Sequence, residues 1–365
     1  MINWAEVRAK FPVTSSSVYL NTAAAGPLAE STARAGASYY EQMRNDGDVH
    51  WDEWLARCEE VRRQVAGFIN AEPEEIGFTT NTSSGMNLIV DALEKHGEVI
   101  SSELEFPVTT IPWMHRRIPV HFVKPVDGVV RAEDVRAAMN TRTGIISMSY
   151  VQFSNGFRSD LEELASIKGN HAFVVNASQA AGVFEIDVKR MKIDALCTTG
   201  HKWMRSGYGS GFVYISKELQ AGSRQRTIGW LSVQDPYGMR NDEVHLRHDV
   251  ASRAEIGCLH FAGVFALGAS LELMQSIGIE NIQARALELN RRLTSLLGPK
   301  VLSPLAEERF RSAETLVAAD EPGKIVARLA QQNIFVTEKP QGFRVATDFF
   351  NNDEDLEKLV HGLSV

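Results

Sequence analysis

The sequence is poor in cysteine, in basic charge and in long apolar runs. Its three cysteines, Cys58, Cys197 and Cys258, lie far apart in a chain of 365 residues. Few and unpaired cysteines argue against a disulfide framework and favour a reducing compartment. The formal net charge is −8, which argues against broad nucleic-acid binding because that needs a basic face. Without a membrane-length apolar stretch or a signal-peptide pattern, we expect a cytoplasmic protein that binds neither nucleic acid nor membrane.

Short apolar runs alternate with helical patterns over the first part of the chain. Strands that alternate with helices are typical of βαβ units, so the pattern predicts an α/β fold with a mainly parallel, seven-stranded sheet. Ligands of such sheets bind at the carboxyl ends of the strands. The predicted strands are Glu75–Thr80, Glu98–Ser101, Val120–Val123, Gly144–Tyr150, Ala172–Asn176, Ala195–Thr199 and Gly211–Ile215.

The pattern changes after Ile215. Residues 221–250 are polar and irregular, and two long helices are then predicted at Phe261–Ile277 and Ile279–Leu297. A helix–strand–strand–helix tail follows and indicates a smaller α+β unit. Because the chain exceeds the size at which single cores stop growing, we expect a large ligand-binding domain at residues 15–250. Residues 251–365, together with 1–14, would form a small domain.

Lys202 is the most suggestive single residue, since it closely follows the predicted strand Ala195–Thr199. Burial lowers the pKa of a lysine, and a neutral amine can attack an aldehyde to form a Schiff base. Taken alone, a lysine at such a place more often lies in solvent on a turn. The surrounding motifs therefore decide how it is interpreted.

Two polar stretches favour a ligand site. Phe78–Asn87 leads from a strand into a helix and is rich in hydroxyls, which suits a phosphate at the positive end of the helix dipole, although a plain Ser/Thr N-cap would look the same. Val174–Gly182 places Asn176 at a strand end and Gln179 three residues later. Both side chains could face a flat heteroaromatic ring. His245, His248 and Asp249 have no recognised ligand spacing, so we expect no metal site.

In this order and spacing the motifs resemble the class V aminotransferases, which include cysteine desulfurases, isopenicillin-N-epimerase-like proteins and kynureninases. The resemblance starts at Val18–Pro27, continues through the two polar stretches, and ends at Phe343–Ala346 with Asn351–Asp355. It implies a fold-type-I enzyme that binds pyridoxal 5′-phosphate (PLP), acts on a small amino-acid substrate, and forms a homodimer.

The resemblance also implies roles for individual residues. Lys202 would form the Schiff base and later move a proton on the substrate Cα. Phe106 would stack on the pyridine ring, Gln179 would bond the phenolic oxygen, and Arg344 would clamp the substrate carboxylate, unless it forms a surface or interdomain salt bridge. The remaining implied contacts are Ser83, Ser84, Thr199 and His201 with the phosphate, Asn176 with the ring nitrogen and Asn21 with the substrate.

The sequence departs from the family pattern in three places, two single residues and one loop. Asn176 replaces the aspartate that usually faces the pyridine nitrogen, which suggests a weaker electron sink, an engineered change or lost activity. Cys258 stands where a threonine often reaches the neighbouring subunit's phosphate, and a thiol is a weaker donor. Residues 331–343 contain no cysteine, so a desulfurase that uses a thiol on this loop is not expected.

We therefore expect an aminotransferase-like enzyme that works through Lys202. A lyase, hydrolase or epimerase of the same family, for example kynureninase-like or epimerase-like, is the first alternative. Asn176 motivates the second alternative, a non-catalytic PLP-binding protein.

Overall fold

A seven-stranded, mostly parallel sheet forms the centre of the protein in a computed structural model that describes residues 2–364. The strand order is β2-β8-β7-β6-β5-β3-β4, and β8 alone runs antiparallel to its neighbours among these strands. The strands of the chain are β1 (Val18–Tyr19), β2 (Ile76–Phe78), β3 (Glu98–Ser102), β4 (Val120–Val123), β5 (Thr143–Ser149), β6 (Ala172–Asn176), β7 (Ala195–Cys197), β8 (Phe212–Ile215), β9 (Glu314–Ala318), β10 (Ile334–Phe335), β11 (Thr337–Lys339) and β12 (Gly342–Ala346).

Helices cover this sheet, and their apolar faces form its core. One buried cluster joins Phe173 and Val175 of the sheet to the helical residues Val61 and Phe265. The helices are α1 (Trp4–Ala9), α2 (Glu30–Asp46), α3 (Trp51–Ile69), α4 (Thr82–Leu93), α5 (Ile111–His115), α6 (Ala132–Ala138), α7 (Leu161–Ile167), α8 (Lys217–Ala221), α9 (Ala251–Ala254), α10 (Phe261–Ile277), α11 (Ile279–Leu297), α12 (Pro322–Gln331) and α13 (Asp353–Ser364).

The topology brings the predicted site residues to one edge of the sheet. Strands β5, β6 and β7 are adjacent and parallel, so the segments that follow Ser149, Asn176 and Cys197 lie side by side. Every residue of β6 and β7 is buried, which is why these strands are continuous apolar runs. Strand β2 runs in the same direction and leads into the N-terminus of α4 at this edge.

The C-terminal part has a sheet of its own, in the order β11-β12-β9, with both pairs antiparallel. Its apolar cluster includes Val345, Leu293 and, from the start of the chain, Leu20. Strand β1 pairs in parallel with β10, and Asn21 makes a bridge to Ala346. The N-terminal segment therefore joins the C-terminal sheet to the edge of the large sheet.

The α/β fold class and all seven predicted strands of the large sheet are confirmed. The predicted helices at 261–277 and 279–297 have the predicted bounds. Strand β9 was not predicted, although it is the central strand of the C-terminal sheet. The two-domain boundary at residue 250 stays a prediction, and α10 packs chiefly on α2 and α3.

Within residues 2–364, no single helix combines the length and apolar character that crossing a membrane requires. Taken together, α10 and the helical segment that follows it reach that length and composition, but they meet at an angle of 80°.

Candidate active site

Lys202 lies in a tight loop after β7, at the edge of the sheet where the polar strand ends meet. Its Nζ atom lies 5.7 Å from the centre of the Phe106 ring. Burial lowers the pKa of Lys202 to about 8, and the nearby Arg344 cation adds to the shift while Glu314 opposes it. About one tenth of this amine is therefore neutral, and thus nucleophilic, at pH 7.

Close backbone packing fixes the loop that carries Lys202. The Gly26 N–H donates to the carbonyl of His201 at 2.7 Å, and a Cβ on Gly26 would lie 2.2 Å from the Lys202 carbonyl oxygen. Only glycine fits there. Three residues after the lysine, Arg205 is buried with a φ of 48° and forms an ion pair with Asp348. The loop is thus clamped between the N-terminal segment and the C-terminal part.

The N-terminus of α4 forms one end of the site. The Asn81 side chain caps this helix by accepting from the Ser84 N–H at 3.0 Å. The backbone N–H groups of Thr82 and Ser83 have no partner among the described residues, so they are free to bind an anion. Ser83 lines the same cavity as Lys202, whereas Ser84 lines a different cavity.

Thr199 and His201 stand at the same end. Thr199 Oγ1 and His201 Nδ1 share a hydrogen bond of 2.7 Å, and the imidazole stacks on the Tyr208 ring at 4.3 Å. Burial and the adjacent Lys202 lower the pKa of His201 to about 4. The imidazole is therefore neutral at physiological pH and can meet a phosphate as a hydrogen-bond donor rather than as a cation.

Asn176 and Gln179 supply the polar edge of the site, and both are buried. Asn176 bonds Thr109 through Nδ2 and Ser178 through Oδ1. Gln179 Nε2 donates to the Ala23 carbonyl at 3.0 Å, and its Oε1 accepts from the indole N–H of Trp203 at 2.8 Å. Both amides are therefore held in one orientation before any ligand binds.

These groups surround a cavity of about 200 Å³. Phe106 offers a ring face, is 45% exposed, and packs edge-on against Phe153 with 5.0 Å between ring centres. Seven of the ten predicted site residues line this one cavity, namely Ser83, Phe106, Asn176, Gln179, Thr199, His201 and Lys202.

Arg344 and Asn21 are not among the residues that line the cavity, although Arg344 Nη1 lies 3.5 Å from the carbonyl oxygen of the lining residue Phe153. Arg344 is buried on β12, where its Nη1 donates to Glu314 Oε2 at 3.1 Å. Its Nε and the Oε1 of Glu314 have no partner among the described residues. Burial raises the pKa of Glu314, and Arg344 opposes that shift. Asn21 accepts a hydrogen bond from Thr337, the first residue of β11.

Sequence reasoning missed several of the groups that shape the site. Glu314 went unnoticed because its strand was not predicted. Lys339 was also missed; its Nζ lies 4.4 Å from the centre of the Phe153 ring, and burial, with help from Arg344, lowers its pKa to about 8. The hydroxyl-rich sequence did signal Thr82 and Ser178, whose side chains share a hydrogen bond of 2.7 Å.

A larger cavity, of about 640 Å³, is lined in part by other residues of α4, from Ser84 to Asp91. It is lined by Thr80, Ser84, Cys258 and His260, among others. Although it is larger, we do not assign it as the reaction centre, because neither Lys202 nor the amides of Asn176 and Gln179 line it. Cys58 and Cys197 are buried and lie outside both cavities, and burial raises the pKa of each thiol.

Comparison with known proteins decides the family. The model of the aminotransferase class-V family matches residues 18–350. The chain belongs to the class-V aminotransferases. Its relatives include a probable cysteine desulfurase of Methanothermobacter thermautotrophicus, 29% identical over 300 residues that cover 79% of this chain and 74% of the relative. An isopenicillin N epimerase of Amycolatopsis lactamdurans is 24% identical over 405 aligned positions, which cover 99% of this chain and 98% of the relative.

Solved structures of the family share the fold. The apo cysteine desulfurase of Thermococcus onnurineus NA1 superposes with a TM-score of 0.89 at 24% identity, covering 99% of this chain and 97% of the other. A mutant of C-DES with glycine covalently linked to its PLP cofactor has a TM-score of 0.87 at 20% identity and 98% coverage of each chain. Class-V aminotransferases are PLP-dependent enzymes of fold type I, so the expected fold and cofactor are confirmed at the level of the family.

Proposed function

We propose that this class-V protein is an enzyme that holds PLP through Lys202 and acts at the amino group or Cα of a small amino acid. The observation that carries the proposal is Lys202 itself, an amine with its pKa lowered to about 8 at the edge of an aromatic-walled cavity. When bound, PLP supplies an electrophilic carbonyl and an electron-accepting ring.

The lining of the cavity fits this cofactor. The unpartnered N–H groups of Thr82 and Ser83 suit its phosphate, with Thr199 and neutral His201 as further donors. The exposed face of Phe106 suits its ring. Gln179 has one amide hydrogen left after bonding Ala23, and that hydrogen suits the phenolic oxygen. Each part of PLP therefore has a partner of matching chemistry.

Arg344 would hold the carboxylate of the substrate. Its Nη1 is engaged by Glu314, which leaves Nη2 to donate to a ligand. A charge-assisted bond from a guanidinium is stronger than one between neutral groups. With the carboxylate fixed on the C-terminal sheet, the Lys202 amine is the group placed to take a proton from the Cα and return one.

Two kinds of reaction are candidates. One is aminotransferase-like, and the other is that of a lyase or an epimerase, since relatives carry names of both of the latter kinds. Transfer of sulfur to a thiol in the Lys202 cavity is not supported, since no cysteine lines it among the described residues. We also propose a homodimer, in which the larger cavity beside Ser84 and Cys258 would lie at or near the contact between subunits.

The proposal is tested by adding PLP to the purified protein and recording the visible absorbance band of the covalently attached cofactor. We expect the band in the natural protein, its loss in Lys202→Ala, and its retention in Lys324→Ala, which removes a lysine with a 77% exposed side chain. A band that persists in Lys202→Ala contradicts the assignment. The bound cofactor is then tested with a panel of amino acids. Conversion to the pyridoxamine form indicates transamination, whereas a released fragment indicates a lyase and an inverted Cα indicates an epimerase.

A further inference from the structure

The amide of Asn176 can be oriented without ambiguity because one of its neighbours can only donate. The backbone N–H of Ser178 bonds the Asn176 side chain at 3.1 Å, so the atom it meets must be the oxygen, Oδ1. The Ser178 hydroxyl donates to the same oxygen at 2.6 Å. A carbonyl oxygen has two lone pairs, and both are therefore used inside the protein.

Thr109 fixes the other end of the amide. Asn176 Nδ2 donates to Thr109 Oγ1 at 3.0 Å. Because Ser178 identifies the other atom as the oxygen, the atom facing Thr109 is the amide nitrogen. An amide nitrogen donates and does not accept, so the bond to Thr109 has only one possible direction.

The hydrogen bonds form a directed chain. It runs from Thr82 through Ser178 and Asn176 to Thr109, and each group donates to the next. Only one polar hydrogen of the Asn176 side chain has no partner among the described residues, and that is the second N–H of Nδ2. Asn176 can therefore offer the cavity a donor and no acceptor.

We infer that Asn176 donates this N–H to the cofactor's ring nitrogen and so holds the pyridine in its unprotonated form. The inference rests on the proposed function, since it requires PLP at Lys202. A protonated ring nitrogen is itself a donor. It would meet the amide N–H head-on, with two buried donors and no acceptor between them, which is costly.

The orientation of Asn176 also bears on the reaction. A protonated ring draws in the negative charge that develops at Cα far better than a neutral one. A ring nitrogen kept neutral by an amide favours reactions in which the charge at Cα is short-lived, because a proton is returned or a leaving group departs at once. It disfavours transamination, which needs the charge to move through the cofactor. Asn176 would therefore act as a reaction-specificity residue and favour the lyase or epimerase candidate.

The test is ¹⁵N NMR of the full-length protein loaded with PLP that carries ¹⁵N at the ring nitrogen. We expect the resonance of a neutral pyridine in the natural protein and in Asn45→Asp, which adds the same charge on the exposed face of α2. We expect Asn176→Asp to move the resonance to the position of a protonated pyridine, because the carboxylate restores an acceptor and a negative charge. The same change should speed exchange of the substrate Cα hydrogen in deuterated water.

A protonated ring nitrogen in the natural protein overturns the inference, and this result does not depend on whether Asn176→Asp folds. It leaves the proposed function standing, provided that borohydride reduction attaches the label to Lys202. If reduction attaches no cofactor to Lys202, the proposed function fails and the inference about Asn176 fails with it.

Discussion

The two walls of the active site differ in how they are built. On the wall formed by β6 and its following turn, the polar groups are neutral amides and hydroxyls, and Asn176 and Gln179 each have partners at both ends. On the wall formed by the C-terminal sheet, the groups are charged. Arg344 and Glu314 form a buried pair in which each has unused hydrogen-bonding capacity: Nε of Arg344 and Oε1 of Glu314 have no partner among the described residues. Lys339 lies nearby.

This difference matches the ligands that we assign to the two walls. A cofactor stays bound through many turnovers, so a prearranged, neutral set of hydrogen bonds suits it. A substrate must enter and leave, and a charge cluster with unfilled bonding capacity can hold a carboxylate reversibly. The comparison predicts that changes on the C-terminal wall affect substrate binding most, while changes on the other wall affect the cofactor.

Arg344→Gln should have the largest effect on substrate. Loss of a charge-assisted contact of about 1.5–3 kcal/mol should raise KM by roughly ten- to a hundredfold, with little change in PLP affinity. Glu314 would also be left buried and unpaired, so the free energy of unfolding should fall by about 3–5 kcal/mol. Steady-state kinetics, cofactor titration and denaturant unfolding measure the three quantities separately.

Glu314→Gln is the matched control for this change. It removes the buried charge but leaves Arg344 in place, so the guanidinium should bind a carboxylate more tightly and KM should fall. An unchanged KM in Arg344→Gln, or a rise of the same size in both variants, would show that the pair is structural and that the substrate carboxylate binds elsewhere.

The lowered pKa of Lys202 predicts a pH dependence. Only the neutral amine attacks, and with a pKa of about 8 its share grows from about one tenth at pH 7 to about nine tenths at pH 9. The rate at which PLP attaches to the apo-protein should therefore rise roughly tenfold over this range and then level off. Since Glu314 raises the pKa of Lys202, the profile of Glu314→Gln should shift to lower pH. A rate that keeps rising towards pH 10.5 would contradict the burial of this lysine.

Ser83 and Ser84 provide a smaller and sharper test. Only Ser83 lines the Lys202 cavity, because the Ser84 hydroxyl donates to the Asn81 carbonyl at 2.8 Å and its side chain faces the larger cavity. Ser83→Ala should weaken PLP binding by several-fold, as expected for one hydrogen bond of about 1 kcal/mol. Ser84→Ala should leave it nearly unchanged in the isolated subunit. Equal losses would mean that both hydroxyls reach the phosphate, as the family resemblance implies.

The large sheet could be predicted because its strands are buried on both faces and stand out as apolar runs. Strand β9 was not predicted because it begins at Glu314, and glutamate rarely lies buried inside a sheet. Its burial depends on Arg344, thirty positions later, and such a partner cannot be read from local sequence.

The part of the site that could be predicted consists of motifs that lie next to strand ends. Lys202, Asn176 and Gln179 follow predicted strands and do meet in one cavity. The direction of the Asn176 amide could not be predicted, because it is set by the local fold of the turn at Ser178 and by Thr109, which comes from a distant part of the chain. Whether a side chain donates or accepts is a property of the assembled network.

The most direct test of the central claim is borohydride reduction of the PLP-loaded protein followed by peptide mass mapping. The account predicts that the reduced cofactor is found on the peptide that contains Lys202 and is absent from Lys339, the other lysine of the site with a lowered pKa. A label on Lys339 or on surface lysines, or no label at all, would contradict the assignment of this cavity as the PLP site.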